Sequence, residues 1–171
     1  MDIIKTKIKT RLTKNQMTTT NSSRIKVQKR DGRLEPLDIN KIHFVVEEAC
    51  EDLPGVSASQ IEMNANIQFY DGMTTKDIQN VLVRSANDLI TLENPNYQYA
   101  AARLLSYDVR KEAHGQYEYI PLLKLVLRNI RLGVYDKGIV EKYSKTDIKK
   151  LNTWIKRDRD LNFTYSGLRQ V

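Results

Sequence analysis

The stretch at residues 27–41, VQKRDGRLEPLDINK, constrains the fold of this chain more than any other. Two short extended runs flank Asp31-Gly32, a dipeptide that favours a type I′ hairpin turn because both central residues of that turn need φ > 0. Asp38 and Asn40 are each a candidate N-cap for the amphipathic helix that follows. The stretch therefore predicts a two-stranded β-hairpin that leads directly into a helix N-terminus.

Lys29 and Arg30 place two cations on this hairpin, next to the predicted helix start. The free N–H groups and the dipole of a helix N-terminus both favour anions, so a polyphosphate would suit the arrangement. Further candidate phosphate contacts are Lys41 in the first turn, Thr75 at the start of a third helix and Lys111 near the end of a fourth. Physics alone favours the alternative, a solvated basic hairpin, because Lys and Arg are mostly surface residues.

The chain's positive charge is concentrated at its start. The 171 residues suffice for one domain and part of a second. Residues 1–26 contain seven Lys and Arg against one acid, Asp2, and supply +6 of the net charge of +7. The remainder is nearly neutral in sum, so the charge is not evidence that the folded part binds nucleic acid. Residues 1–24 lack sustained periodicity and predict a disordered basic tail, within which Met17 is an alternative start.

Cysteine and histidine usage excludes several kinds of site. Cys50 is the single cysteine, so it can form neither an internal disulfide nor a thiolate metal site, and we expect a buried structural thiol. His43 and His114 lack metal-ligand spacing with any partner, which predicts no metal site. No Ser/His/Asp or Cys/His set is present either. The chain has neither a membrane-length apolar run nor a secretory signal, so a cytoplasmic protein is predicted.

Helical periodicity and capping residues, among them Thr74 and Ser144 at helix starts and Gly115 at a helix end, predict a mainly α protein. Four helices follow the hairpin, and together they form a small domain of about 90 residues. Further helices are predicted after a linker, and the last residues resemble the start of another. The predicted helices span 39–52, 57–70, 75–89, 96–114, 122–131, 138–142 and 144–155.

Several motifs, in chain order, resemble the N-terminal part of the large (alpha) subunit of class Ia aerobic ribonucleoside-diphosphate reductase. They are VQKRDG, LDINKIH, IQFYDGMTTKDIQ, PNYQYAAARL, VRKEAHGQYE, YDKGIVEKYS and DRDLNFTYSG. The resemblance implies an ATP-cone, in which a β-hairpin caps a four-helix bundle, at residues 25–115. It further implies that residues 116–171 are a helical linker and the truncated beginning of the reductase's helical domain.

The resemblance also implies an allosteric site for ATP or dATP, with Mg. ATP would leave the enzyme active, whereas dATP would shift subunit assembly and switch it off. Residues carried over by motif would bind the phosphates through Lys29 and Arg30, with Thr75 and Lys111 on the phosphate side and Lys41 at the sugar or phosphates. Glu35 and Asp38 would lie at the base, and Leu37, Ile39 and Ile42 would surround the adenine. The remaining residues of the set are Pro36, Asn40, Ile78 and Gln79.

Three positions depart from the family pattern. Asp38 stands where relatives often carry Asn, and Gln79 and Asp108 stand where a His can occur. Gln79 removes a possible cation, and an added carboxylate weakens triphosphate binding electrostatically. A decayed cone that serves only as a subunit-interface element therefore remains an alternative.

Catalysis is expected to lie elsewhere. The family reduces the ribose 2′ carbon with a thiyl radical and a pair of reducing cysteines that lie beyond this chain's end, and Cys50 matches none of them. The chain alone is thus expected to be inactive, as a split or truncated large subunit or as a cut piece. The expected partners are the remainder of the large subunit, the radical-generating small (beta) subunit and further copies in a homo-oligomer.

Two other classes of protein are disfavoured by the sequence. A nucleotide-responsive transcription repressor also uses an ATP-cone, but that family places a four-cysteine zinc ribbon before it, and this chain has one cysteine. Nucleic-acid binding through the basic tail is the weaker remaining alternative. Such binding would fall steeply with salt and disappear on deletion of residues 1–16.

Overall fold

The computed structural model describes residues 25–66 and 68–170. The tail predicted at residues 1–24 lies outside these ranges. Within them the fold is mainly α, as predicted, with a two-stranded antiparallel hairpin.

The hairpin consists of β1 (Lys26–Gln28) and β2 (Leu34–Pro36), with Val27 opposite Glu35. Val27 is buried and contributes the hairpin's side of the core. Its strand neighbours are exposed, as the alternation of side chains along a strand requires.

The turn between the strands differs from the predicted type I′ turn. Gly32 has a φ of +84°, but Asp31 is not among the described residues with positive φ. The Lys29 N–H donates to the Arg33 carbonyl at 2.8 Å and the Gly32 N–H donates to the Lys29 carbonyl at 2.9 Å, which defines a three-residue connection. The Asp31 carboxylate accepts from the Arg33 N–H at 3.1 Å, and this local bond favours the wider turn.

Helix α1 (Ile39–Cys50) begins at Asp38. The Asp38 side chain accepts from the N–H groups of Asn40 at 3.1 Å and Lys41 at 3.3 Å. Of the two predicted N-caps, the structure therefore uses Asp38.

Helix α2 (Ala58–Asn66) is shorter than predicted. It was expected to continue to about Tyr70, but the Gln68 N–H donates to the Ala65 carbonyl, the i→i−3 spacing of a tightened last turn.

Helix α3 (Thr75–Asp88) begins with the predicted cap. Thr74 Oγ1 accepts from the Asp77 N–H at 3.0 Å and donates to the Asp77 carboxylate at 2.6 Å.

Helix α4 (Tyr97–His114) is the longest described helix and ends at Gly115, as predicted. Gly115 has a φ of +70°, a left-handed conformation that L side chains rarely adopt. Inside α4, the buried Arg103 reaches the end of α1, where it donates to the carbonyls of Ala49 at 3.2 Å and Glu51 at 2.6 Å. These bonds satisfy carbonyls that the end of a helix leaves without an intrahelical partner.

The four helices bury one common core. Val46 of α1, Ile61 of α2, Leu82 of α3 and Leu104 of α4 are all fully buried. The hairpin covers one side of this bundle through Val27. The architecture is thus the hairpin-capped four-helix bundle that the sequence predicted.

Five shorter helical segments follow. They are α5 (Leu122–Arg131), α6 (Gly138–Lys142), α7 (Lys145–Trp154), a 3₁₀-helix (Arg157–Asn162) and α8 (Tyr165–Arg169). Helix α5 packs on α7, whereas the 3₁₀-helix and α8 pack on α4.

Arg128 of α5 joins this second group of helices to the bundle. Its guanidinium donates to the Ala113 carbonyl at 2.6 Å and the His114 carbonyl at 3.1 Å. A cation therefore lies at the negative end of the α4 dipole, where it is favourable.

Two further sequence predictions concern membrane spans and the single cysteine. None of the described helices is long and apolar enough to cross a membrane. Cys50 is partly buried, and burial raises the pKa of its thiol to about 11, so it stays protonated at neutral pH. The thiol is thus partly buried against the core, where the sequence predicted a buried one.

Candidate functional site

Backbone hydrogen bonds fix the hairpin against the loop before α3. The Gln28 N–H donates to the Met73 carbonyl at 2.9 Å, and the Gly72 N–H donates to the Lys26 carbonyl at 2.8 Å. The Lys26 N–H donates in turn to the Asp71 carboxylate at 2.7 Å. The hairpin turn, which carries Lys29 and Arg30, is therefore positioned beside the N-terminus of α3.

An open cleft of about 450 Å³ lies between the hairpin turn, the start of α3 and the end of α4. Its volume is in the range of about 300–1,000 Å³ found for small-molecule sites. The lining residues are Gln28, Lys29, Arg30, Gly32, Thr74, Thr75, Lys76 and Glu112.

A second cavity, of about 60 Å³, lies among α1, α3 and α4. We call it the inner cavity and the open cleft the outer cleft. Arg30 and Thr75 line both cavities, so the two meet at these side chains. The smaller cavity is lined by Arg30, Val45, Thr75, Gln79, Tyr107, Asp108, Lys111 and Tyr117.

Arg30 and Asp108 form an ion pair between the hairpin and α4. The Arg30 Nη2 lies 3.1 Å from the Asp108 Oδ1 and donates a hydrogen bond to it. The Asp108 side chain is 11% exposed and the Arg30 side chain 40%. The pair therefore connects a half-exposed cation to a largely buried carboxylate.

Lys111 lies one turn along α4 from Asp108, within the field of three other cations. Burial lowers the pKa of its ammonium group, and repulsion from Arg30, Lys29 and Lys41 lowers it further, while Asp108 opposes the shift. The hairpin, α1 and α4 thus bring four positive groups to one side of the bundle.

The other two cations also have acidic neighbours. Lys29 Nζ lies 3.4 Å from a carboxylate oxygen of Glu35, and Lys41 Nζ lies 3.4 Å from a carboxylate oxygen of Asp38. Both pairs are partly or largely exposed, so each contributes little to stability.

Gln79 is held on the inner side of the site. Its side-chain amide donates to the Leu104 carbonyl at 2.8 Å, which fixes the Gln79 side chain against α4. Ile78, the neighbouring residue of the predicted set, is buried in the core.

The structure brings part of the predicted set together around the two cavities: Lys29, Arg30, Thr75, Gln79 and Lys111. Leu37 and Ile42, expected around the adenine, are buried in the core, and Ile39 is 52% exposed. The predicted residues that line neither cavity are Glu35, Pro36, Leu37, Asp38, Ile39, Asn40, Lys41, Ile42 and Ile78.

Sequence reasoning missed several lining residues. Tyr107 shares a face of α4 with Lys111, since residues four apart on a helix are neighbours, and this spacing could have identified it. Tyr117 gave no such signal, because it follows the helix. Its hydroxyl donates to the Glu48 carboxylate at 2.6 Å, and its ring centroid lies 4.9 Å from that of Tyr107. The described residues contain no cluster of His, Cys, Asp and Glu that could hold a metal ion.

The hairpin-capped bundle with its cationic cleft has a recognised counterpart. The ATP cone domain family matches residues 25–112, more than half of the chain. The chain therefore belongs to the ATP-cone family, whose members are nucleotide-binding regulatory domains.

Comparison with individual proteins is more specific. The chain is 43% identical over 145 residues to the ribonucleoside-diphosphate reductase 1 subunit alpha of Salmonella typhimurium, and 42% identical to that of Escherichia coli. Both matches cover 85% of this chain and 19% of the relative. The Helicobacter pylori ribonucleoside-diphosphate reductase subunit alpha is 39% identical over 147 residues, covering 86% of this chain and 18% of that protein. The predicted resemblance to the N-terminal region of these alpha subunits is confirmed, and the chain spans less than a fifth of their length.

Proposed function

We propose that this chain is the ATP- and dATP-binding allosteric portion of a ribonucleoside-diphosphate reductase large subunit. One observation carries the proposal. Residues 27–121 contain nine Lys and Arg against fifteen Asp and Glu, a net charge of −6. Yet four of those nine cations lie around one site, and a fifth, Lys76, lines its cleft of nucleotide size. Concentrating cations in an acidic domain favours a multiply charged anion.

Each predicted residue receives a role in this proposal. Lys29, Arg30 and Lys111 bind the phosphates with Thr75, whose helix N-terminus adds N–H groups and a favourable dipole. Lys41 contacts the sugar or phosphates. The base lies against Leu37, Ile39 and Ile42, with Glu35 and Asp38 as hydrogen-bond acceptors, in a conformation more open than the present one.

Regulation requires that the two nucleotides differ in their affinity for two assembly states. ATP and dATP differ at the 2′ position alone, so the site must convert that difference into a shift between states. The proposed partners are the remainder of the large subunit, the small (beta) subunit and further copies of the complex, with Mg accompanying the nucleotide. The catalytic cysteines belong to that remainder.

A second candidate function is an interface element that has lost nucleotide binding. The inner cavity favours it, because about 60 Å³ is too small for a nucleotide and each cation already has an acidic neighbour.

Calorimetric titration of the 171-residue chain with ATP and dATP, with light scattering in parallel, separates the two candidates. The proposal expects saturable binding that is weakened by Lys111→Met and unaffected by Arg84→Met, which removes an exposed cation elsewhere on α3. It also expects dATP to promote association more than ATP. A folded chain that binds neither nucleotide would support the interface element.

A further inference from the structure

The Arg30–Asp108 ion pair lies where the outer cleft and the inner cavity meet. Arg30 lines both, whereas Asp108 lines the inner one. Lys111 and Gln79, two residues of the proposed nucleotide site, are also on the inner side. A ligand that extends from the outer cleft to Lys111 therefore passes next to the ion pair.

We propose that Asp108 is an internal competitor for the ligand's phosphates, and that its carboxylate holds Arg30 in a closed position from which an incoming polyphosphate must displace it. This inference rests on the proposed function, and it assigns to Asp108 the setting of nucleotide affinity. Asp108 is thus an affinity-determining residue rather than a ligand-binding one.

The dimensions of the two cavities support displacement. The inner cavity of about 60 Å³ is far below the volume of about 300–1,000 Å³ that small-molecule sites provide. The outer cleft, at about 450 Å³, has room for a triphosphate but lacks Lys111 among its lining residues. Moving the Arg30 side chain away from Asp108 joins the two spaces.

The charges support competition. Asp108 is largely buried, accepts a hydrogen bond from Arg30 and offsets the repulsion that Arg30, Lys29 and Lys41 exert on Lys111. A bound polyphosphate would take over both functions. Carboxylate and phosphate cannot both remain close to one guanidinium without repelling each other, and that repulsion is strong in a partly buried site.

The test compares the full chain with Asp108→Asn, which keeps the size and an acceptor oxygen but removes the charge. Glu93→Gln, an exposed carboxylate in a turn, is the charge-matched control. Calorimetric titrations use ATP and inorganic tripolyphosphate, each with Mg²⁺ and with EDTA, and circular dichroism verifies folding.

We expect Asp108→Asn to bind both ligands about tenfold or more tightly than the unmodified chain, and Glu93→Gln to bind them as the unmodified chain does. The gain should disappear when Arg30→Gln is also present, because no closed pair is then left to open.

Equal affinity of the unmodified chain and Asp108→Asn for ATP overturns the inference while leaving the proposed function intact. Weaker binding by Asp108→Asn in Mg²⁺ also overturns it, since Asp108 would then contact the ligand's metal ion. Failure of both folded proteins to bind ATP overturns the proposed function itself, and the inference with it.

Discussion

Residues 27–121 and residues 122–170 differ in charge and in burial. The first region has a net charge of −6, whereas the second contains twelve Lys and Arg against five Asp and Glu, a net charge of +7. The first buries a continuous core contributed by four helices and a hairpin. In the second, Val126 and Ile148 are the buried hydrophobic residues, while large apolar side chains such as Leu132 and Trp154 are exposed. The bundle is therefore stabilised by its own core, and the helices that follow depend on few buried contacts.

The net charge of all the residues after the tail is nearly zero and does not reveal this difference. A net charge of +1 is correct for residues 27–171, but it is the sum of two regions of opposite sign. Net charge therefore has to be taken per structural region before it is used to judge partners.

The largest expected effect on stability comes from a substitution in the bundle core. Leu104→Ala removes a fully buried side chain and should lower the free energy of unfolding by about 2–5 kcal/mol. Leu132→Ala, at a side chain that is 65% exposed, should change it by less than about 0.5 kcal/mol. Urea unfolding followed by circular dichroism measures both. Equal losses from the two variants would contradict the difference in burial between the two regions.

Replacing Arg103 should have the next largest effect on the free energy of unfolding. Arg103→Met keeps much of the packing volume but leaves the carbonyls of Ala49 and Glu51 without their charged donor. The bundle should lose about 1.5–3 kcal/mol of stability, as expected for hydrogen bonds to a charged group. Arg84→Met, at an exposed position, is the control, and chemical unfolding is again the measurement. A loss no greater than that of the control would mean that Arg103 is not needed at the end of α1.

Matched helix caps test whether the two regions unfold together. Thr74→Ala and Ser144→Ala each remove an N-cap hydroxyl, at a local cost of about 1 kcal/mol. Because α7 packs on α5 rather than on the bundle, we expect Thr74→Ala alone to shift the bundle's unfolding transition. Hydrogen exchange of core amides such as that of Leu82 reports this transition. An equal shift in Ser144→Ala would show that both regions form one cooperative unit.

We expect the smallest effects on stability from the two histidines, and these effects have opposite signs. The Nδ1 atom of His43 lies 2.7 Å from a Glu62 carboxylate oxygen, which accepts its hydrogen bond, and this bond raises the pKa of the His43 ring. Its contribution to stability is complete below about pH 6.5, the unfolded value, and is lost as pH rises through the raised folded pKa. Burial, and then the nearby Arg128, lower the pKa of His114, so its contribution is complete above about pH 6.5 and is lost as pH falls through the lowered pKa.

The measurement is thermal unfolding from pH 5 to pH 8. His43→Gln should be less stable than the unmodified chain at pH 6 and approach it at pH 8. His114→Gln should gain stability relative to the unmodified chain at pH 5. If both variants follow the unmodified chain across this range, neither ring is coupled to folding.

Much of the fold could be predicted because its signals are local. Alternating and helical periodicity, the capping residues at Asp38, Thr74 and Ser144, and the left-handed Gly115 all act within a few residues, and the structure has each of them as expected. The errors were local as well. Asp31-Gly32 fits a type I′ turn by composition, but the hydrogen bonds of Asp31 to Arg33 select a wider one.

The site was harder to predict because it depends on side chains that meet across the fold. The partnership of Arg30 and Asp108 joins residues 78 positions apart, and no pattern in the sequence pairs them. The residues themselves pointed to the four cations, whereas the family resemblance treated Asp108 as a departure rather than as the partner of Arg30. The roles of the residues that line neither cavity, from Glu35 to Ile42, stay predictions.

The bonds from Arg128 to the end of α4 have a mechanical consequence. Asp108 and His114 are six residues apart on one continuous helix, about 9 Å along its axis. A shift of α4 as one body at Asp108 would therefore also displace the carbonyls to which Arg128 donates. Helix α4 thus connects the cationic site at one point of its length to the basic helices at its end.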